Sequence, residues 1–451
     1  MSDLFTQLHG NALTAWLARA VGLPNPVPLA RELGGYVTHP LQGQCAVLVS
    51  FEPGSCHDAL LAALRDAGAE VRAGSAVQDG PLDVLVVDVT QCRTPEQTGF
   101  LYQSLHPLVR KLGVNARVLI VAADYENLSC PIAAAIARGM EGFSRSLAKE
   151  VGKKGVTVNL VYQAVDAEDR LDGVVRFFCG KQTTYVTGQA VHVCRFTRRP
   201  AVVPNEKVLT GKVALVTGSA RGIGLATAQR LAQEGAQLVC LDVPAVSEEL
   251  EERCAEIGAV ALPLDISSVE APRQLADFLS TRFGGVDVVV HNAGITRDRT
   301  LANMSEHFWN QVVSVNLAAI LAVDRVLLSE KVLREEGRVV CLSSISGVAG
   351  NFGQSNYAVT KAALIGYVKA QAVALAERGV CINAVAPGFI ETPMTDAMPF
   401  ATREIGRRVN SLKQAGQPRD VAELITFLCS PSAYGITGNT VRVCGQQLLG
   451  A

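Results

Sequence analysis

Tyr357 and Lys361 stand four residues apart in YAVTKAALIGYVKAQAVAL, a stretch of helical period, so both side chains fall on one face of a helix. A free tyrosine has a pKa near 10, too high for easy proton exchange at neutral pH; an ammonium alongside favours phenolate, and a depression of about 3 units takes ~4 kcal/mol of differential interaction. Ser344, closing the run RVVCLSS, is placed to hold a carbonyl oxygen beside that phenol. A YxxxK pair alone is what many solvated helix faces show. Its company decides the matter.

That company starts with VALVTGSARGIGLATAQRLAQEGA, where Gly218, Gly222 and Gly224 separate a β-branched run from an amphipathic one, with Ser219, Arg221 and Ile223 inside the turn. A pyrophosphate needs backbone N–H groups at a helix N-terminus and no Cβ in the way, and glycines there allow both. LVCLDV ends in Asp242, 24 residues after Gly218, where a carboxylate accepts hydrogen bonds from ribose hydroxyls. PLDIS puts Asp265 and Ile266 at another strand end, within reach of an adenine. HNAG brings His291, Asn292, Ala293 and Gly294 up to the same ligand.

These residues need a scaffold of alternating strands and helices, and the chain supplies it twice. VALVTG, LVCLD, VDVVVHNAG, RVVCLSS and VCINAVAPG are short β-branched runs, each followed by a helical segment. Earlier, AVLVSF, LDVLVVDVT and RVLIVAA do the same, after a predicted helix at Ala12–Leu23. The stretch from Ala133 to Val161 aligns without a gap onto Tyr357 to Val385, 224 residues on, with Asn159 over Asn383. The fold class expected is α/β, two Rossmann-like doubly wound parallel sheets, with domains at 1–204 and 205–451 divided near Pro204.

Composition bounds the rest. The 451 residues carry 41 basic and 42 acidic side chains, so no global field draws nucleic acid or an anionic membrane. The twelve cysteines show no CxxC and no metal-ligand spacing, which points to a reducing, cytoplasmic setting and no metal. No signal peptide and no unbroken apolar run of about 18 residues is apparent.

Taken together, TGSARGIG, NAG, VNL, SSISG, YAVTK and APGFIETPMT resemble the motifs of the short-chain dehydrogenase/reductase family, and among its members the FabG-type 3-oxoacyl-ACP reductases. The resemblance implies hydride exchange between a nicotinamide and a carbonyl. It implies a tetrad of Asn316, Ser344, Tyr357 and Lys361: Tyr357 as acid or base, Ser344 orienting the carbonyl, Lys361 on the nicotinamide ribose, Asn316 holding a water. Pro387, Gly388, Ile390 and Thr392 would flank the nicotinamide, ahead of a substrate lid. Asp242 opposes a 2′-phosphate by Coulomb repulsion and favours NAD(H); Arg221 leaves NADP(H) open. His291, where the family more usually has Asn, reads as tolerated.

The first copy lacks this chemistry. Phe51, Ser55 and His57 align with the three glycines, Ala123 with Ser344, and Ala133 and Ala137 with Tyr357 and Lys361. Phe51 is expected to fill the phosphate place, and His57 reads as a cap or surface group without a nucleophile nearby. A degenerate, flavodoxin-like domain ahead of an active one resembles the high-molecular-weight FabG-type reductases.

The resemblance implies reduction of a 3-oxoacyl-CoA or acyl-ACP to the (3R)-hydroxyacyl thioester by a homodimer or homotetramer. Glu335 and Glu336 stand where that family places a carrier-docking arginine and Arg378 keeps the second, which weakens docking of an acidic carrier. Arg403, Arg407 and Arg408 could bind CoA phosphates, and the tail RVCGQQLLGA could reach a neighbouring site. The alternatives are an NAD-dependent dehydrogenase of another secondary alcohol, and an N-terminal half that serves as a binding or assembly module.

Overall fold

The computed structural model describes residues 26–72, 81–396 and 400–447; the helix expected at Ala12–Leu23 and the last four residues of the tail lie outside them. The first sheet is built from β1 (Cys45–Ser50), β2 (Glu70–Arg72), β3 (Leu82–Asp88), β4 (Leu112–Ala123), β5 (Thr157–Gln163) and β6 (Ala190–Val193). Between them run α1 (Ser55–Asp66), α2 (Gly99–Val109), α3 (Pro131–Val151) and α4 (Leu171–Cys179). Its strand order is β2-β1-β3-β4-β5-β6, all parallel. That is the flavodoxin-like order with one strand added.

The second half restarts with β7 (Val213–Thr217), α5 (Gly222–Gln233), β8 (Gln237–Asp242), α6 (Ser247–Ile257), β9 (Val260–Pro263), α7 (Ala271–Phe283) and β10 (Val286–His291). It continues through α8 (Glu306–Val313), α9 (Ala319–Ser329), β11 (Leu333–Leu342), α10 (Ile345–Ala349), α11 (Ser355–Leu375), β12 (Cys381–Pro387), α12 (Phe400–Arg408), α13 (Pro418–Cys429) and β13 (Thr440–Val443). The order is β13-β12-β11-β10-β7-β8-β9, a parallel sheet whose connections reverse direction between β7 and β10. Ligands of such sheets bind at that reversal, beyond the carboxyl ends of the strands.

The duplication extends to polar details. Asp83 accepts from Cys45 N–H and Asp287 from Val213 N–H, each at 2.9 Å, pinning the first strand of each sheet. Buried Arg117 and Arg338 each donate to the carbonyl that caps the last helix of their half, Gly180 O and Ser430 O, where a cation also meets the negative end of the helix dipole. Asn159 donates to Val186 O and accepts from Gln189 N–H; Asn383 does the same with Ile436 O and Asn439 N–H. The gapless alignment over α3 and α11 is therefore structural. Both helices have 21 residues and end, one 3₁₀ turn later, at a left-handed glycine, Gly155 and Gly379.

Each half has an apolar cluster of its own on one face of its sheet, and on the other face the halves share one. A single apolar cluster runs from α1 and α4 across the junction to α13 and α5, with Phe177 stacked on Phe427 at 4.1 Å and 3°. Edge strands β6 and β13 are bridged by side-chain amides. Gln189 accepts from Arg442 N–H, and Asn439 accepts from His192 N–H while donating to His192 O. The segment from residue 26 to Pro40 straps over both halves. Arg31 pairs with Asp420, Tyr36 lies over the buried Arg230 guanidinium, and Asn115 and Thr184 donate to Pro28 O and Ala30 O.

Two runs, Glu306–Ser329 and Ser355–Arg378, are long and apolar enough by composition to cross a membrane, with mean hydropathy 1.8 and 1.2, although the sequence shows no unbroken apolar run of that length. In this fold Ile320, Val323, Leu327, Leu364 and Val368 of those runs pack into the core on one face of the second sheet.

Candidate active site

A cleft of about 830 Å³ opens beyond the carboxyl ends of β7, β8, β10, β11 and β12. Gly218, Arg221, Gly222, Ile223, Asp242, Asp265 and Ile266 line one end; Asn292, Ala293, Gly294, Ser344, Tyr357, Lys361, Pro387, Gly388, Ile390 and Thr392 line the rest. Three residues expected at the ligand stand behind this wall. Ser219 is buried and donates to Leu241 O. Gly224 lets α5 press on the turn, since a Cβ there would meet Gly218 O at 2.0 Å. Asn316 is fully buried, its amide accepting from Ile295 N–H and donating to Ile295 O at 2.8 and 2.9 Å, which ties its side chain to that loop.

The glycines of the turn leave room for a dinucleotide. Gly218 has φ +68°, and a Cβ on it would meet Ala293 Cα at 2.8 Å. Gly222, φ +62°, opens α5, and a Cβ there would meet nothing within 4 Å. The turn is thus left-handed and open toward the cleft at a helix N-terminus, which suits a pyrophosphate. Asp242 is fixed beside it, accepting from Ala220 N–H and Val243 N–H at 2.9 Å. Arg221 is exposed at the rim.

At the other end, β11 delivers Ser344, whose Oγ caps α10 by accepting from Ser346 N–H. Helix α11 delivers Tyr357 and Lys361. The Lys361 ammonium donates to Leu342 O at 2.6 Å and lies 5.6 Å from the Tyr357 ring centre. Burial pushes the Tyr357 phenol up; Ser344, hydrogen-bonded to it, pulls the other way, and Asp298 adds to the rise. The depression expected from Lys361 is therefore not what the protein alone produces. Burial lowers Lys361 itself to about 8.

Several groups at the site escaped the sequence reading. Thr296, His307, Asn310, Gln311 and Ser314 line the cleft. Gln354 donates to Asp298 and accepts from Ser346 and Asn351, bracing the start of α11; its place three residues before Tyr357 was the available signal. His291 is not merely tolerated. Its Nε2 lies 2.7 Å from Asp324 Oδ1 in the core.

Other expectations are corrected. Arg407 is buried and paired with Glu391 and Glu404, Arg403 pairs with Glu391, and Arg408 with Glu404. These guanidiniums brace the segment over the cleft instead of offering themselves to phosphates. In the first half, His57 Nδ1 lies 2.7 Å from Ser50 Oγ, a hydroxyl partner only 7 residues away that the sequence reading passed over. Phe51, at Gly218's place, packs edge-on against Phe100 on α2, and its N–H bonds Asp88 O on β3, whereas Gly218 N–H bonds Leu241 O on β8. The two turns lean to opposite neighbours. Ala123, Ala133 and Ala137 are all buried. Of the tail, Gln446 is tied to Arg145 O and Ser411, while the last four residues, on which its expected reach depends, lie outside the described ones.

A glycine turn open at a helix N-terminus, the Asp242 carboxylate beside it and a Ser–Tyr–Lys group meet in one cleft, a combination that defines a nicotinamide-dependent oxidoreductase. The sequence family described as "Enoyl-(Acyl carrier protein) reductase" matches residues 218–445. The 3-oxoacyl-[acyl-carrier-protein] reductase FabG of Vibrio cholerae is 39% identical over 237 residues, covering 52% of this chain and 97% of that one. FabG of Thermotoga maritima is 39% identical over 244 residues, covering 52% and 98%, and that of Escherichia coli 37% over 238 residues, covering 52% and 96%. A crystal structure of a Brucella melitensis short-chain dehydrogenase/reductase, titled glucose/ribitol dehydrogenase, superposes with a TM-score of 0.51 at 31% identity, covering 53% of this chain and 98% of that one. The chain belongs to the short-chain dehydrogenase/reductase family.

Proposed function

We propose that residues 205–451 reduce 3-oxoacyl thioesters to (3R)-3-hydroxyacyl thioesters with NADH, and that residues 1–204 form a supporting domain without chemistry of its own. The observation that carries this reading is the meeting of Ser344, Tyr357 and Lys361 in one cleft with the open Gly218–Gly222 turn and Asp242. The FabG relatives align over nearly their whole length, which favours a 3-oxo substrate over the enoyl substrate in the family's description.

The nicotinamide, when bound, supplies the hydride. Tyr357 donates its proton to the carbonyl oxygen, and burial keeps the phenol protonated until that moment. Ser344 donates a hydrogen bond to the same oxygen. Lys361, held by Leu342 O, binds the ribose and returns a proton to Tyr357. Asp242 accepts from the adenosine ribose hydroxyls, and a 2′-phosphate would face its carboxylate.

Acyl-CoA suits the surface better than an acidic carrier. Arg378 is committed to Glu335 and Leu333 O, and Glu335 and Glu336 both face Arg198. The protein is proposed to act in the cytoplasm, where its twelve free cysteines stay reduced, and to self-associate as a dimer or tetramer.

The test is a set of initial rates with acetoacetyl-CoA and acetoacetyl-ACP, each with NADH and NADPH, beside Tyr357→Phe. NADH-dependent turnover is expected, with kcat lowered about 10²- to 10⁴-fold in the variant. No reduction with either cofactor overturns the substrate reading, and undiminished activity in the variant overturns the mechanism.

A further inference from the structure

His291 ends β10 immediately before Asn292, Ala293 and Gly294, which line the cleft. Its side chain turns the other way, into the core, where His291 and Asp324 of α9 are both buried and 2.7 Å apart. The second oxygen of Asp324 accepts from Tyr367 Oη at 2.9 Å, and Tyr367 belongs to α11, the helix that carries Tyr357 and Lys361. Eight residues before Asp324, in the π-helical turn joining α8 to α9, Asn316 holds both backbone groups of Ile295. One continuous helical run therefore grips the Asn292–Gly294 segment from both sides, and its carboxylate also grips the catalytic helix.

Around the His291–Asp324 pair the core is apolar, with Val289, Ile320, Val323, Leu327, Leu364 and Val368; at the half-buried end Gln371 Nε2 lies 3.5 Å from Tyr367 Oη. Burying a carboxylate there is costly, and apolar side chains of similar volume often pack as well or better. What a His–Asp–Tyr chain adds is direction, because each hydrogen bond fixes a distance and an angle between elements that apolar contact leaves free to slide.

We propose that Asp324 is a positioning residue: through His291 and Tyr367 it sets the segment that receives the nicotinamide against the helix that presents the proton donor. The assignment rests on the ketoreductase reading for its turnover arm and on nicotinamide binding alone for its affinity arm. The two links have separate effects. The His291 link governs cofactor affinity, and the Tyr367 link governs the chemical step.

The experiment uses the full chain and measures the dissociation constant of whichever of NADH and NADPH the wild type binds more tightly, kcat with acetoacetyl-CoA, and the melting temperature. Misplacement of reacting groups is expressed strongly in rate. Asp324→Leu, which removes both links, is expected to weaken cofactor binding about tenfold and lower kcat about tenfold. Tyr367→Phe is expected to lower kcat about fivefold while binding stays within about twofold. Asp324→Asn can still accept from His291 and donate to the Tyr367 oxygen, and should stay within about threefold of wild type on both measures. Variants that lose melting temperature but keep affinity and kcat would reduce the chain to a packing element and overturn the proposal. Asp324→Asn as impaired as Asp324→Leu would also overturn it, since charge rather than placement would then be at work. Should Asp324→Leu fail to fold, Tyr367→Phe and Asp324→Asn decide. A wild type that binds the dinucleotide but reduces no thioester overturns the substrate reading instead, and the affinity comparison then decides this one.

Discussion

Tyr357 and Lys361 are shifted in opposite senses by one cause. Burial disfavours the charged form of each, so the phenol holds its proton well into alkaline solution while the ammonium begins to lose its own near pH 8. On raising the pH, the first of the two to change charge is therefore Lys361. For the reductive direction, kcat/KM is expected to fall above about pH 8, by up to tenfold per pH unit, as the lysine loses its hold on the ribose. A profile flat to pH 10 would remove Lys361 from that role. The same shift has a stability consequence of fixed sign. Unfolded, Lys361 keeps its proton to about 10.5; folded, it releases it near 8, so the burial penalty is complete below pH 8 and is relieved between those values. Lys361→Met should accordingly gain more stability over wild type at pH 7 than at pH 10, measured by denaturant unfolding at both. Residue types at short spacing were legible because their chemistry is local: YxxxK, the glycine turn, and a strand ending in Asp. The His291 partner was not, because Asp324 is 33 residues away in sequence. Only the packing of α9 on β10 brings them together.

Elements show one scaffold built twice, once with Ser344, Tyr357 and Lys361 and once with alanines at the aligned positions. The helices α3 and α11 share length, terminal turn and following strand, and the Asn159 and Asn383 clamps repeat atom for atom. Apolar periodicity and glycine placement made that repeat readable, since packing constrains the same positions in both copies. The edges were less readable. Strand β2 is three residues long and largely exposed, too short for any period, and the first half has one strand–helix unit fewer than the second, which offsets the copies by different amounts along the chain. The difference between the halves is not confined to three missing side chains. Ala133 and Ala137 are 3% and 2% exposed, and the turn that would face them leans away on Phe51. Grafting Ala133→Tyr and Ala137→Lys together into the Tyr357→Phe chain is therefore expected to restore no activity and to lower stability, with overpacking alone costing about 1–3 kcal/mol per site. Recovered NADH oxidation in that chain would show that the first half retains a usable cofactor turn.

At the scale of the whole molecule, the two halves meet as two copies of one surface. Phe177 faces Phe427, Gln189 faces Arg442 and Asn439 faces His192; within each half the bonded positions correspond at a constant spacing of 250 residues. Reciprocal pairing of equivalent positions is the mark of a two-fold interface between identical subunits, here enclosed in one chain. Because the apolar cluster is continuous through it, neither half has a complete core when the other unfolds. The expectation is a single cooperative transition in calorimetry for the two halves together, with calorimetric and van't Hoff enthalpies equal. Asn439→Ala tests the junction directly. It strips partners from both backbone groups of His192, an unmade bond in such a place costing about 1–3 kcal/mol, and it touches neither the cleft nor the chemistry. If the halves are one cooperative unit, the variant lowers the single melting temperature and leaves kcat unchanged at temperatures well below it. Two resolved transitions, with only one displaced by the substitution, would mean that the halves fold independently and that the shared surface is a contact between domains rather than a common core.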